Sequence, residues 1–234
     1  MSDTSGSARA DGVRERLIHA AISLLADQGP AAVKARTVAS AAGLSTMAVY
    51  SHFGGIPELK CAAIDYRFRD LASAFSRLPV TDDPIADLVV QALTCRRVAR
   101  ENPYLYDLMF GLSTLATHRR VNHPGIRLSG SSPAFQLAYA YFAAACTRLV
   151  NSGRVRQQNP GAVAAQLWSL LHGFITHELG EAFLACDDPA IQVLLPMGVN
   201  LSVGLGDTRE RAEASHCRAA RLYESITGET RAAR

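Results

Sequence analysis

The sequence predicts an all-α fold built in two parts, a small N-terminal three-helix unit and a larger helical region behind it. Three observations predict it. Apolar residues recur three and four apart in one segment after another, the spacing of one face of an α-helix. No segment sustains the apolar–polar alternation of a half-buried strand. The periodic runs are also punctuated as helices are, with proline near their starts and glycine or a Gly-Pro pair beyond their ends. At 234 residues and 48% hydrophobic, the chain can bury one sizeable core or a small and a medium one.

Taken in order, residues 1–11, MSDTSGSARAD, are rich in Ser and Gly with no apolar period, and are expected to form a disordered arm. The arm reads first as an idle tail, with a contact from Arg9 to an anionic partner as the alternative. The first helix is expected from Asp11, a good N-cap, with Val13, Leu17, Ala21, Leu24 and Leu25 on one face and Gly29-Pro30 as its stop. Two short helices follow within Val33–Phe53. Val38 and Ala42 point inward on the first. Ala39 is small enough for a close helix crossing, Gly43 can take the positive φ that ends a helix, and Leu44 plugs the turn. Ser45 is placed to cap the next helix, whose buried seam is Val49 and Phe53. Thr46, Met47, Ala48, Tyr50, Ser51 and His52 are left facing outward. Two short helices at a tight turn, the second with an outward polar and apolar face, have the layout of a helix-turn-helix whose second helix enters a DNA major groove; a plain three-helix packing unit with a mixed surface is the alternative.

Charge supports this locally. The net charge of +3 argues nothing alone, but no acidic residue stands between Asp27 and Glu58, and Lys34 and Arg36 open the first short helix. A surface made for phosphate excludes carboxylates, which repel the backbone across about 8 Å at physiological salt.

The run V38-A39-S40-A41-A42-G43-L44-S45-T46-M47-A48-V49-Y50-S51-H52-F53 resembles the DNA-binding domain of the TetR/AcrR family of one-component transcriptional regulators, over residues 13–60. The shared pattern is an aliphatic residue and Ala before the turn, then Gly, an apolar residue and Ser, ending in Tyr-x-His-Phe. The resemblance implies that Arg36 contacts DNA, that Tyr50 and His52 hold phosphates, and that Thr46, Met47 and Ala48 lie nearest the base edges. Lys34, Ser45 and Ser51 complete the expected DNA-facing set. Two positions depart from the pattern: Gly54-Gly55-Ile56-Pro57 stands where the family usually has Lys, and Ala48 replaces a more frequent Thr. The Trp168…His172-Gly173 segment is similar to a motif in one subgroup of the family's C-terminal domains.

Beyond the turn, Pro57 fits the first turn of a helix running to about Arg77, and a second is expected from Pro84 to about Arg100 along Ile85, Leu88, Val89, Ala92 and Leu93. A short aromatic helix restarts at Pro103. Residues 113–132, rich in Gly, Ser, His and Arg, read as a long loop that is either functional, covering a pocket mouth, or mobile. Three further helices are expected from Pro133 to Asn151, over 160–184 and over 189–205, and the tail from Thr208 has the spacing for one more. Domain bounds follow: an arm at 1–11, the DNA-binding domain at 12–56, a ligand-binding and dimerisation domain at 57–205 and a tail at 206–234.

The resemblance implies a small-molecule effector inside the second domain, a homodimer on a palindromic double-stranded operator, and a repressor. Tyr104, Tyr106, Met109, Phe110, Tyr139, Phe142, Trp168 and His172 have the apolar character with few polar anchors that such a pocket needs. Aromatic stripes at this spacing more often form ordinary core, and a histidine such as His172 is more often a satisfied core residue than a ligand contact. Helices 160–184 and 189–205 are apolar on more than one side, with Val163, Leu167, Leu170 and Phe174 opposite Trp168 and His172, and are the expected dimer interface.

Other classes find no support. His177 and Glu181 are spaced for one metal, but no third ligand stands at motif spacing, and neither a phosphate loop nor a nucleophile elbow is present. No cofactor, metal or catalytic activity is expected. The five cysteines never form a CxxC pair, as in a reduced compartment, and no apolar run reaches the roughly 20 residues of a membrane span. A cytoplasmic, membrane-independent location is the expectation.

Overall fold

The computed structural model describes residues 4–110 and 132–228, with side chains from residue 11 onward. Among the described residues there are ten α-helices and no strand. They are α1 (Thr4–Gln28), α2 (Ala35–Ala41), α3 (Thr46–Phe53), α4 (Ile56–Ser76), α5 (Pro84–Glu101), α6 (Pro103–Phe110), α7 (Pro133–Asn151), α8 (Pro160–Leu179), α9 (Leu195–Leu205) and α10 (Arg209–Thr227). No described helix is long and apolar enough to cross a membrane. The five cysteines are all free.

Two compact units divide the chain. The first takes the residues up to Asp70 together with those from Glu101 to Leu137; the second takes Leu71–Arg100 and the residues from Ala138 on. The first unit therefore includes α6. Asn102 explains how: its side-chain oxygen accepts from the Leu105 N–H at 3.0 Å, capping α6, while its amide donates to the Ile22 carbonyl of α1 at 3.2 Å. Tyr104 then lies over Gly29, where an added Cβ would come within 3.3 Å of its ring. Tyr106 and Met109 are buried in this unit, and Phe68 meets Phe110 and Phe135 edge-on at 5.7 and 5.3 Å.

In the second unit, a core of Ile85, Leu88, Phe142, Cys146, Leu149 and Val163 is shared by α5, α7 and α8. An ionic cluster closes one side of it. Asp83 caps α5 by accepting from the Ile85 and Ala86 N–H groups, and accepts from the Ser215 hydroxyl at 2.7 Å. The Arg154 guanidinium bridges Asp83 and the fully buried Asp207 at 3.1 and 2.5 Å. Burial raises the Asp83 pKa, but the Ser215 hydroxyl, the Ala86 N–H and the Arg154 and Arg218 charges outweigh it and hold the carboxyl below its usual 3.8.

Several expectations are corrected. The arm expected to be disordered over 1–11 is helical from Thr4, because nothing from Ser5 to Asp11 except Gly6 interrupts a helix that is already nucleated downstream. The 160–184 helix ends at Leu179, and Glu181 takes a left-handed φ of 59°, so His177 and Glu181 do not share a helix face. Glu178, between them, instead takes both oxygens to Arg96 of α5. The 189–205 helix begins as a π turn over Ala190–Leu194. Pro196 has no N–H to return to residue 192, and the Leu195 N–H reaches back five residues to Ala190. The helical spacing read from Thr208 corresponds to α10, which buries Ala212, Ser215, His216 and Ala219. Of the second apolar face expected of the 160–184 helix, Val163 is buried in the core shared by α5, α7 and α8, and Phe174 is buried and stacks on Phe183 at 5.4 Å. The 113–131 part of the expected loop lies outside the described residues; Ser132, its last residue, caps α7, its hydroxyl accepting from the Phe135 N–H at 3.2 Å.

Candidate nucleic-acid interface

The turn between α2 and α3 is set by backbone chemistry. Gly43 takes φ 63°, the left-handed value that other residues adopt at a steric cost. The Leu44 N–H donates to the Ala39 carbonyl at 2.8 Å and the Gly43 N–H to Ser40 at 3.0 Å, satisfying the last carbonyls of α2. Ser45 stands at the N-cap of α3, but its hydroxyl makes no capping bond; the Ala48 N–H closes the turn on the Ser45 carbonyl at 3.0 Å. Its side chain is left exposed. Gly54 ends α3 at φ 80°, its N–H on the Tyr50 carbonyl at 2.8 Å.

These ends fix the rotation of α3. Val49 is wholly buried and Phe53 nearly so, which turns the remaining residues outward. Met47 is 70% and Tyr50 51% exposed, Thr46, Ser45 and Ser51 are exposed, and Ala48 and His52 are half-buried. Lys34 and Arg36 are exposed at the start of α2. All nine residues singled out in the sequence are thus accessible. The Ser51 hydroxyl donates to the Ala48 carbonyl of its own helix at 3.2 Å, and the Thr37 hydroxyl accepts from the Lys34 N–H at 3.1 Å to start α2.

Two arginines of α1 do work that the motif did not reveal. Arg14 donates to the His52 carbonyl at 3.1 Å, and its guanidinium lies 4.4 Å over the Phe53 ring. Arg16 donates to the Ala42 carbonyl at the turn. Both hold helix ends through carbonyls at the C-terminal, negative end of a helix dipole. Their only signal in the sequence was being cations on the polar side of α1.

The eight expected effector contacts do not gather in one unit. Tyr104, Tyr106, Met109 and Phe110 belong to the first, around α1 and α6. Tyr139, Phe142, Trp168 and His172 belong to the second, where Trp168 stands edge-on to Tyr139 at 5.3 Å and near Phe142 at 5.5 Å, with His172 at 4.1 Å. Burial pushes the His172 imidazole down to a pKa of about 3, so it is neutral at pH 7. A separate cavity of about 50 Å³ lies in the same unit, bounded by α5, α7, α8, α9 and α10, and only Phe142 of the eight lines it.

A small helical head with an outward, acid-free reading helix, joined to a separate helical body, defines a class of one-component DNA-binding regulators. Known proteins agree. Residues 17–59 match the family model described as bacterial regulatory proteins, tetR family, and residues 88–195 match the tetracyclin repressor-like C-terminal domain. The chain belongs to the TetR family of transcriptional regulators. No curated relative matches the chain. Among solved structures, RolR in complex with resorcinol is similar at 16% identity and a TM-score of 0.63, over 91% of this chain and 96% of that one. A γ-butyrolactone receptor (ArpA-like protein) is similar at 20% identity and 0.59, over 93% and 99%. A TetR-family transcription regulator from Marinobacter aquaeolei VT8 is similar at 19% identity and 0.53, over 92% and 97%. At these identities the likeness is one of fold.

Proposed function

We propose that this regulator is a repressor that binds a palindromic double-stranded operator as a homodimer and leaves it when a small apolar or amphipathic effector occupies its second unit. The observation that carries the reading is the face of α3, where burial of Val49 and Phe53 turns an acid-free set of side chains outward. Tyr50 and His52, with Lys34, Arg36, Ser45 and Ser51, hold the phosphate backbone and fix register. Thr46, Met47 and Ala48 meet base edges, where a methyl or thioether packs against a thymine methyl. On the effector side, Tyr139, Phe142, Trp168 and His172 offer an aromatic wall with one neutral imidazole. Tyr104, Tyr106, Met109 and Phe110 pack on α1 and are suited to transmitting a change to the head. Effector release is supported by the regulators of like fold, one of them solved with resorcinol bound. A coupling of about 1–3 kcal/mol weakens operator binding some 5- to 150-fold. No catalytic role is proposed.

The test is a titration against the intergenic DNA flanking the protein's own gene, at two salt concentrations. Specific binding with a steep salt slope is expected. Tyr50→Phe and His52→Ala should weaken binding to operator and random DNA about equally, whereas Thr46→Ala and Met47→Ala should alter base preference. Equal losses on both DNAs for the second pair would refute the assignment of roles.

A further inference from the structure

The cavity bounded by α5, α7, α8, α9 and α10 is apolar around nearly its whole wall, with Leu88, Leu149, Leu171 and Leu205 among its lining. Its polar atoms come from α9 and α10. His216 of α10 is buried and places its Nδ1 2.8 Å from the Ala212 carbonyl. A carbonyl only accepts, so Nδ1 carries the proton and Nε2 keeps a lone pair. That Nε2 lies against Gly198 of α9 so closely that a Cβ there would sit 2.4 Å away; only glycine leaves the imidazole room. Among the described residues no donor reaches Nε2. Ser202, one turn on, commits its hydroxyl proton to the Gly198 carbonyl at 2.8 Å and keeps only lone pairs for the cavity. The polar lining therefore consists of acceptors. Burial, with the Arg154 charge, lowers the His216 pKa against the opposing pull of the Ala212 carbonyl and of the Asp83 and Asp207 carboxylates behind it, so the ring stays neutral near pH 7.

We propose that this cavity is a binding site for a small neutral molecule with one hydroxyl donor, an alcohol or a phenol, whose O–H donates to His216 Nε2 while its apolar part lies among the leucines. The proposal rests on the reading of the second unit as the effector-receiving one. A carboxylate finds no donor in the wall, and an ammonium finds no carboxylate in it, so either would be buried without a partner. Size sets a condition: about 50 Å³ is a fraction of the roughly 150 Å³ of an apolar cavity that admits benzene. A one-ring occupant must displace part of the wall. Leu194, the last residue of the π turn before Pro196, and Leu195, which follows it, are the part of the wall to move. Such wide turns, with a helical bond already missing, recur at functional sites.

The test uses the full chain, with phenol and benzene as probes in calorimetric titrations. Phenol should bind one per chain, roughly tenfold tighter than benzene, as one neutral hydrogen bond implies. His216→Phe should weaken phenol roughly tenfold and leave benzene unchanged. In wild-type protein labelled with ¹⁵N-histidine, phenol should move one unprotonated ring-nitrogen resonance, a measurement that stands even if His216→Phe does not fold. Equal affinity for the two probes, no saturable phenol binding into the millimolar range, or phenol binding with every histidine ring resonance unmoved would overturn the proposal. None of these readings involves DNA. A protein that binds phenol as described but ignores its operator would sink the repressor reading and leave this one standing.

Discussion

Gly43 and His172 show how single residues carry opposite kinds of constraint. At Gly43 the backbone is committed to φ 63°, and a Cβ would also come within 3.2 Å of the Arg16 guanidinium. Gly43→Ala should therefore cost about 1–2 kcal/mol from the left-handed conformation alone, read as a lower midpoint in urea. An unchanged midpoint would mean the turn relaxes freely. His172 constrains through protonation. The fold keeps it neutral down to about pH 3, while the unfolded chain takes up the proton near 6.5. Its contribution is complete above pH 6.5 and drains away as pH falls from there toward 3, by up to about 1.4 kcal/mol per unit. His216 shifts in the same direction. Urea unfolding at pH 7.5 and 5.0 should show a loss at the lower pH, and His172→Phe should shrink it. A loss of the same size in the variant would place the acid sensitivity elsewhere.

At the scale of elements, the ionic cluster around Arg154 ties the start of α5 to α10. Asp207 is fully buried and Asp83 nearly so. Arg154→Ala leaves both carboxylates without that guanidinium, and removing one partner of a buried pair costs about 3–5 kcal/mol. The thermal transition should fall by several degrees; a shift of under one degree would show that Arg211 or water takes over. This is also where the sequence was least legible. The helix-turn-helix could be read from Val38 to Phe53 because its signals are local: a small residue, a glycine with positive φ and a seam four residues apart. The packing of α10 could not, because Asp83, Arg154 and Ser215 meet across 132 positions of chain and leave no mark on local periodicity. The same limit hid Arg14 and Arg16. Residue-level accessibility on α3 was legible; the grouping of eight aromatic and apolar candidates into two units was not, since spacing places side chains on a helix face but does not choose the neighbour of that face.

For the whole molecule, the proposed homodimer turns on the surface that α8 and α9 leave open. The large apolar side chains expected at an interface are partly turned inward, and what remains exposed is smaller: Ala165, Gln166, Ser169 and Gly173 on α8, with Met197 and Asn200 on α9. Ala165, Ser169 and Gly173 recur every four residues, so they line one strip along which another helix can approach closely. A two-fold axis beside such a strip lets each copy's small residues receive the other's Met197 and half-buried Leu201, a self-complementary contact of the kind that closed dimers require. A long charged side chain in the strip removes that approach while leaving the protomer's own core untouched, because Ala165 is exposed in the isolated chain. Ala165→Arg should therefore convert a dimer to a monomer at micromolar concentration in sedimentation, with an unchanged helical circular-dichroism spectrum. Operator affinity should fall with it, since each head would then hold a half-site without the second. A wild-type protein that sediments as a monomer at that concentration would refute the dimer, and a variant that remains dimeric would move the interface off this strip.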